Sequence, residues 1–238
     1  MDHAARQAEP LAGAPLRTVR LGVTGYAEAL SLQRAAADGV RARTGPETLF
    51  LLEHAPVVTM GRRATMDHVL LSREALAARG VELVETDRGG DVTFHGPGQI
   101  VGYPILDLRR RGLGPHTHLR FLEEVLIGVL ATYGIEGFRD PAYTGVWTRH
   151  GKIAAMGIRV SAGVSLHGFA LNVNTDLRYF GLIVPCGIQG RAVASMDRIL
   201  GRALDLGEVM DRIDAAFRAA PPRADAVEAA TASAGGGA

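Results

Sequence analysis

Lysine and cysteine are almost absent from this chain: a single Lys, Lys152, stands among 26 basic residues, and Cys186 is the sole cysteine. One cysteine excludes a disulfide within the chain and fits a reducing compartment. Aromatic residues make up only 5%, with one Trp. No run approaches the roughly 18 apolar residues that a membrane span needs. The N-terminal stretch carries Asp2 and Glu9 without an apolar core, so it matches neither a secretory signal nor a transit peptide. The cytoplasm is the expected compartment. A formal net charge of +1 supplies no field to attract nucleic acid or a membrane surface, and neither is an expected partner. The histidines, at positions 3, 54, 68, 95, 116, 118, 150 and 167, form no metal-ligand spacing with Cys186, the nearest approach being His116 and His118. Neither a phosphate-binding P-loop nor a dinucleotide fingerprint is present. No metal and no cofactor is expected.

What is present gains weight from these absences. All basic residues but one are Arg, which cannot deprotonate, whereas Lys can serve as base or nucleophile. A neighbouring ammonium favours a thiolate, the strongest ordinary side-chain nucleophile. Lys152 and Cys186 therefore form a candidate catalytic dyad. The competing reading is a solvated turn lysine and a small buried cysteine. Pro185 before the cysteine and Gly187 after it make IVPCGI a shaped loop, in which the amides of Cys186 and Gly187 could face a developing oxyanion.

A length of 238 residues, 47% hydrophobic, suits one cored domain over residues 17–219. The Ala/Gly/Pro-rich ends, 1–16 and 220–238, are expected to be disordered extensions. Alternation predicts strands over Thr18 to Gly22, Thr48 to Glu53, the segment ending at Met60, and Val81 to Thr86. Val92 to Phe94 and Ile100 to Tyr103 read as a hairpin around His95 to Gly98, and Lys152 to Ser161 with Gly163 to Asn174 as another around Ser161-Ala162-Gly163. Helical spacing marks Tyr26 to Arg43 and a short helix capped by Ser72. It also marks His116 to Tyr133, with Glu123 and Glu124 off its apolar stripe, and a last helix burying Val209, Met210, Ile213 and Phe217. Many strands and few long helices imply an α/β (mixed α+β) fold, a central mixed sheet with flanking helices. Arg62-Arg63 and Arg109 to Arg111 read either as solvated faces or as docking patches for an acidic partner.

In RGGDVTFHGPGQIVGYPILD (Arg88 to Asp107), five of twenty residues are Gly, which points to backbone that bends tightly or approaches a ligand. Ala155-Met156-Gly157 faces His167-Gly168-Phe169-Ala170 in the second predicted hairpin, where small residues leave either room for an acyl chain or a close strand contact. Pairing of Cys186 with His95 or His167 in a hydrolase-like arrangement is a further reading.

Four blocks in one order, RGGDVTFHGPGQIVGYPILDL, GVW with KIAAMGIRVS, HGFALNVNTDL and IVPCGI, closely resemble the octanoyltransferases of lipoate biosynthesis, in the biotinyl/lipoyl protein ligase superfamily. The resemblance implies transfer of an octanoyl (or lipoyl) group from acyl carrier protein to a lysine of a lipoyl domain, as in 2-oxoacid dehydrogenase complexes and the glycine cleavage system H protein. It implies Cys186 as carrier of an acyl-thioester intermediate, Lys152 as its catalytic partner, and no ATP. The implied substrate-binding residues are Arg88, Gly89, Gly90, Asp91, Val92, Thr93, Phe94, His95, Ala155, Met156, Gly157, Gly168, Phe169 and Ala170. Phe94 stands where many members carry Tyr, which would remove a pocket hydroxyl. Competing activities are an ATP-dependent lipoate or octanoate ligase on the same fold, a thioesterase, and a non-catalytic acyl-binding module.

Overall fold

Alternate residues of a central strand can feed two different cores when helices cover both faces of the sheet. The strand Thr48–His54 (β2, after β1, Arg17–Thr24) does this: Leu49 and Leu51 enter one core, Phe50 and Leu52 the other. The computed structural model describes residues 16–184 and 192–219. The expected disorder of 1–15 and 220–238 falls outside the described residues.

The further strands are β3 (Val57–Met60), β4 (Glu82–Glu85), β5 (Val92–His95), β6 (Gln99–Ile105), β7 (Phe138–Arg139), β8 (Val146–Thr148), β9 (Gly151–Ser161) and β10 (Val164–Asn172). Seven form the main sheet in the order β1-β2-β6-β10-β9-β8-β7, and β4-β3-β5 form a smaller second sheet. Parallel pairs (β1 with β2, β3 with β4) accompany antiparallel ones, so the expected mixed sheet is present. The β9–β10 hairpin turns at Ala162 (φ 50°) and Gly163 (φ 89°), the two positive-φ positions of a tight primed turn. The other expected hairpin is not one. β5 and β6 belong to different sheets, because the chain at Gly98 (φ 81°) is held by Val173, Asn174 and Thr175 and steps across from one sheet to the other.

Helix α1 (Tyr26–Ala42) buries Tyr26, Ala29, Gln33, Ala37 and Val40, spaced three or four apart, against one face of the main sheet. After the short α2 (Arg73–Ala77), capped by Ser72, helices α3 (Pro115–Ala131) and α5 (Leu206–Ala219) cover the opposite face, with α4 (Met196–Leu200) beside them. The four residues expected to anchor α5 are all buried. Glu123 departs from expectation. It is fully buried, because the β7–β8 edge closes over this flank of α3, and its carboxylate pairs with Arg120 and Arg139 and accepts the Gly145 amide at 2.9 Å. The Arg109 to Arg111 run is split likewise, since Arg111 turns inward to Glu47.

Two glycines in the sheet interior answer to close packing. A Cβ on Gly168 would stand 2.2 Å from the Gly102 carbonyl oxygen, and one on Gly157 would stand 2.8 Å from that of Gly89. Both permit close approach of backbone to backbone.

Candidate active site

Lys152 lies near the start of β9 beside the segment 192–194. Its amide donates to the Ala192 carbonyl at 2.9 Å, and its own carbonyl accepts the Ala194 amide at 2.9 Å. The Lys152 ammonium lies over the Trp147 ring, 5.4 Å from its centroid. Gly145 (φ 133°) makes the space: a Cβ there would stand 2.5 Å from Lys152 Cε and 2.6 Å from the Ala154 oxygen. The Glu123 carboxylate fixes the amide of that same glycine, so α3 supports the lysine channel from beneath.

Two neighbouring clefts meet here. One, enclosing ≈ 340 Å³ open in part to solvent, is walled by Lys152, Thr93, Gln99, Asn172, Phe180 and Val193. The other, of ≈ 460 Å³, includes Tyr26, Arg88, Tyr103, Met156, Gly157 and His167 among its walls. Thr93, Ala155 and Ala170 belong to both. The register Gly168↔Gly157, Phe169↔Met156, Ala170↔Ala155 brings the two predicted small-residue stretches together. Thus Arg88, Val92, Thr93, His95, Ala155, Met156, Gly157, Gly168, Phe169 and Ala170 all line the larger cleft.

Gly89, Gly90, Asp91 and Phe94 line neither of the two clefts. Gly89, Gly90 and Asp91 form a loop that Arg88 organises: its guanidinium donates to the Asp91 carbonyl at 2.7 Å, to the Gly89 carbonyl at 3.1 Å and to the Thr59 carbonyl at 2.7 Å. Asp91 in turn meets His68 at 2.7 Å. Phe94 points into a separate core under the second sheet, stacked on Tyr179 at 4.7 Å with Phe180 edge-on. A tyrosine hydroxyl at that position would lie in this aromatic cluster, by Gly96, not in the cleft.

The histidines proposed as alternative bases are constrained. His95 is buried, and burial, reinforced by the neighbouring His54 and Arg88, lowers its pKa to about 3. His167 adopts φ 58°, donates its backbone amide to Gln33 on α1 at 2.8 Å, and places Nε2 2.7 Å from Asp87. Burial lowers its pKa as well, against the opposing pull of Asp87. Cys186 lies outside the described residues, and with it any distance to Lys152. Among the described residues no cluster of three His, Cys, Asp or Glu could hold a metal ion. No described helix is long and apolar enough to cross a membrane.

Tyr26, Thr59, Gln99, Tyr103 and Asn172 had not been singled out from the sequence. The available signal was a polar side chain inside an otherwise apolar strand, as at Gln99 in QIVGYPI and Asn172 at the end of VSLHGFALN.

Comparison with known proteins bears on the family and the fold. The model of the lipoyl protein ligase A/B catalytic domain matches residues 25–218. An octanoyltransferase of Pelobacter propionicus is 48% identical over 198 residues, covering 83% of this chain and 91% of its own. That of Rubrobacter xylanophilus is 51% identical over 199 residues, covering 83% and 89%. Among solved structures, a lipoate-protein ligase A bound with ATP superposes with a TM-score of 0.65 at 19% identity, covering 84% of this chain and 83% of that one. A putative lipoate protein ligase from T. acidophilum gives 0.63 at 17%, covering 84% and 82%. At such identities the structures show the fold alone.

Proposed function

The chain belongs to the lipoyl protein ligase A/B catalytic family and catalyses octanoyl transfer, and we propose that it does so through an acyl thioester on Cys186 with Lys152 as proton carrier. The donor is octanoyl-acyl carrier protein, and the acceptors are lysines of lipoyl domains in 2-oxoacid dehydrogenase complexes and of the glycine cleavage system H protein. A lone catalytic thiol suits the reducing cytoplasm.

The observation that supports this course is the position of Lys152. It lines the smaller of two clefts that share Thr93, Ala155 and Ala170, side chains small enough to leave room for an unbranched acyl chain. The segment 192–194, which follows the cysteine loop, is hydrogen-bonded along the same residue. In the first half-reaction the Cys186 thiolate attacks the donor carbonyl. A new C–S bond forms, the old one breaks, and the carrier thiolate leaves with a proton from Lys152. In the second, the acceptor amine attacks the Cys186 thioester, loses its proton to Lys152, and forms the amide as the Cys186 thiolate departs. A thioester supplies the acyl group at the required energy, so no nucleotide enters.

Intact mass spectrometry of wild type and Cys186→Ser with octanoyl-carrier protein, without ATP, tests the scheme. One octanoyl group on wild type alone, discharged on adding a lipoyl domain, is the expected result. Domain acylation that proceeds only with free octanoate and ATP would overturn it.

A further inference from the structure

Three buried polar side chains connect the Arg88 loop to the segment beside Lys152. His95 Nδ1 lies 2.7 Å from Gln99 Oε1, Gln99 Nε2 donates to Asn172 Oδ1 at 2.9 Å, and Asn172 Nδ2 donates to the Ala194 carbonyl at 3.0 Å. All three residues are at least nine-tenths buried. At the other end, Thr59 Oγ1 stands 3.4 Å from His95 Nε2 and accepts from Arg88 Nε and Nη2 at 3.2 and 2.9 Å.

The direction of this chain is set by two backbone carbonyls, which can only accept. Asn172 must turn its NH₂ toward the Ala194 oxygen, which leaves Oδ1 toward Gln99. Gln99 must then donate, and it does so to Asn172 and also to the Phe94 carbonyl at 3.2 Å. Reversing either amide would place two oxygens face to face in a buried site. Gln99 Oε1 is therefore the acceptor, and His95 Nδ1 must carry a hydrogen. Because Arg88 donates to the Thr59 oxygen, the Thr59 hydroxyl hydrogen remains to point at the His95 Nε2 lone pair.

We infer that Gln99 and Asn172 are positioning residues, which hold His95 as its neutral Nδ1–H tautomer and align residues 192–194 against Lys152. The relay ends on the Ala194 carbonyl. The amide of the same residue donates to the Lys152 carbonyl, and the Lys152 amide donates to Ala192, so a displacement of Ala194 shifts Lys152. The only basic lone pair of His95 is engaged with Thr59, which removes His95 as a general base in the cleft it lines. The charged and titratable groups facing His95 are His54, Arg88 and His167, and all three oppose a second proton on the ring.

The positioning of Lys152 rests on the octanoyl-transfer reading, whereas the tautomer does not, and the two are measured separately. Nitrogen-15 NMR of histidine-labelled enzyme, with His95 assigned by its loss in His95→Gln, reads the tautomer directly. The expected result is a protonated Nδ1 and a bare Nε2, without titration from neutral pH down to about pH 5, where an ordinary histidine is charged. A protonated Nε2, or an imidazolium near neutrality, overturns the relay. Asn172→Asp keeps the shape but presents an oxygen to the Ala194 carbonyl when ionised. Its kcat is expected to fall roughly tenfold to a hundredfold at neutral pH with little change in donor KM. It should recover toward wild type as the pH falls, because the protonated acid again donates to Ala194. An unchanged kcat, a loss confined to KM, or a loss that does not recover with acid overturns the link to Lys152.

Discussion

His118 offers a quantitative test of how burial sets the acid stability of this fold. It sits in the first turns of α3, fully buried, 6.4 Å from Phe121 between ring centroids, and among the described residues neither ring nitrogen has a hydrogen-bond partner. Burial, aided by the nearby Arg111 cation, lowers its pKa from 6.5 to about 4. The unfolded chain therefore binds a proton that the folded one refuses. Above pH 6.5 this costs nothing. As the pH falls through 6.5 the penalty grows, and it is complete below about 4. The gap corresponds to about 3 kcal/mol of lost stability. The assay is urea denaturation from pH 7.5 to about pH 4 on wild type and His118→Leu. At neutral pH the variant is expected to be more stable by roughly 1–2 kcal/mol, since two unsatisfied buried nitrogens disappear. Toward pH 4 its advantage should widen by about 3 kcal/mol. His95, whose pKa is lowered to about 3, contributes in the same direction to both proteins and cancels in the difference. Parallel stability curves for the two proteins would refute the reasoning.

Gly145→Ala forces a side chain into the Lys152 channel at φ 133°, with 2.6 Å left to the Ala154 oxygen. It is expected to cost about 1–3 kcal/mol in urea denaturation and to lower kcat beyond what that loss of folded enzyme explains. Glu123→Ala removes the carboxylate that pairs with Arg120, leaves Arg139 to Glu124 alone and frees the Gly145 amide. A destabilisation of roughly 3 kcal/mol is expected, and Glu123→Gln, which can still accept that amide, should retain more activity than Glu123→Ala. Gly168→Ala would drive a methyl into the Gly102 carbonyl and Pro104 at the centre of the main sheet. The outcome to look for is a loss of about 3 kcal/mol or insoluble protein. Phe94→Tyr places its hydroxyl in the Tyr179 and Phe180 cluster, so the acyl chain-length profile should match that of wild type, and a shifted profile would put the ring in the cleft after all.

The local elements were legible because their information is local. The 3–4 spacing of α1 and α3, the Ala162-Gly163 turn and the alternation of β9 and β10 depend on neighbours a few residues away. They also predicted that Ala155 to Gly157 would face Gly168 to Ala170 and that Lys152 would start a strand. The lone Lys in an Arg-rich chain singled out a residue that lines the smaller cleft. Other features arise only when distant segments meet. β5 and β6 look like a hairpin from their spacing, yet Gly98 is held by residues 173–175, and the two strands part into separate sheets. Glu123 is charged and off the stripe of α3, and it is buried because the β7–β8 edge brings Arg139 over it. His118 has no local mark of its burial in the sequence. The paired glycines admitted both room and close contact, and the structure holds both, since Gly157 and Gly168 line the larger cleft while Gly168 meets Gly102.

The same division runs through the chemistry. Residue types alone nominate a thiol, an amine and an acyl trench. The tautomer of His95 is different in kind, since it follows from Phe94 and Ala194 carbonyls that fix two amides 73 residues apart in sequence. Side-chain chemistry is a property of the residue, whereas the direction of a hydrogen bond is a property of the partners that tertiary structure supplies.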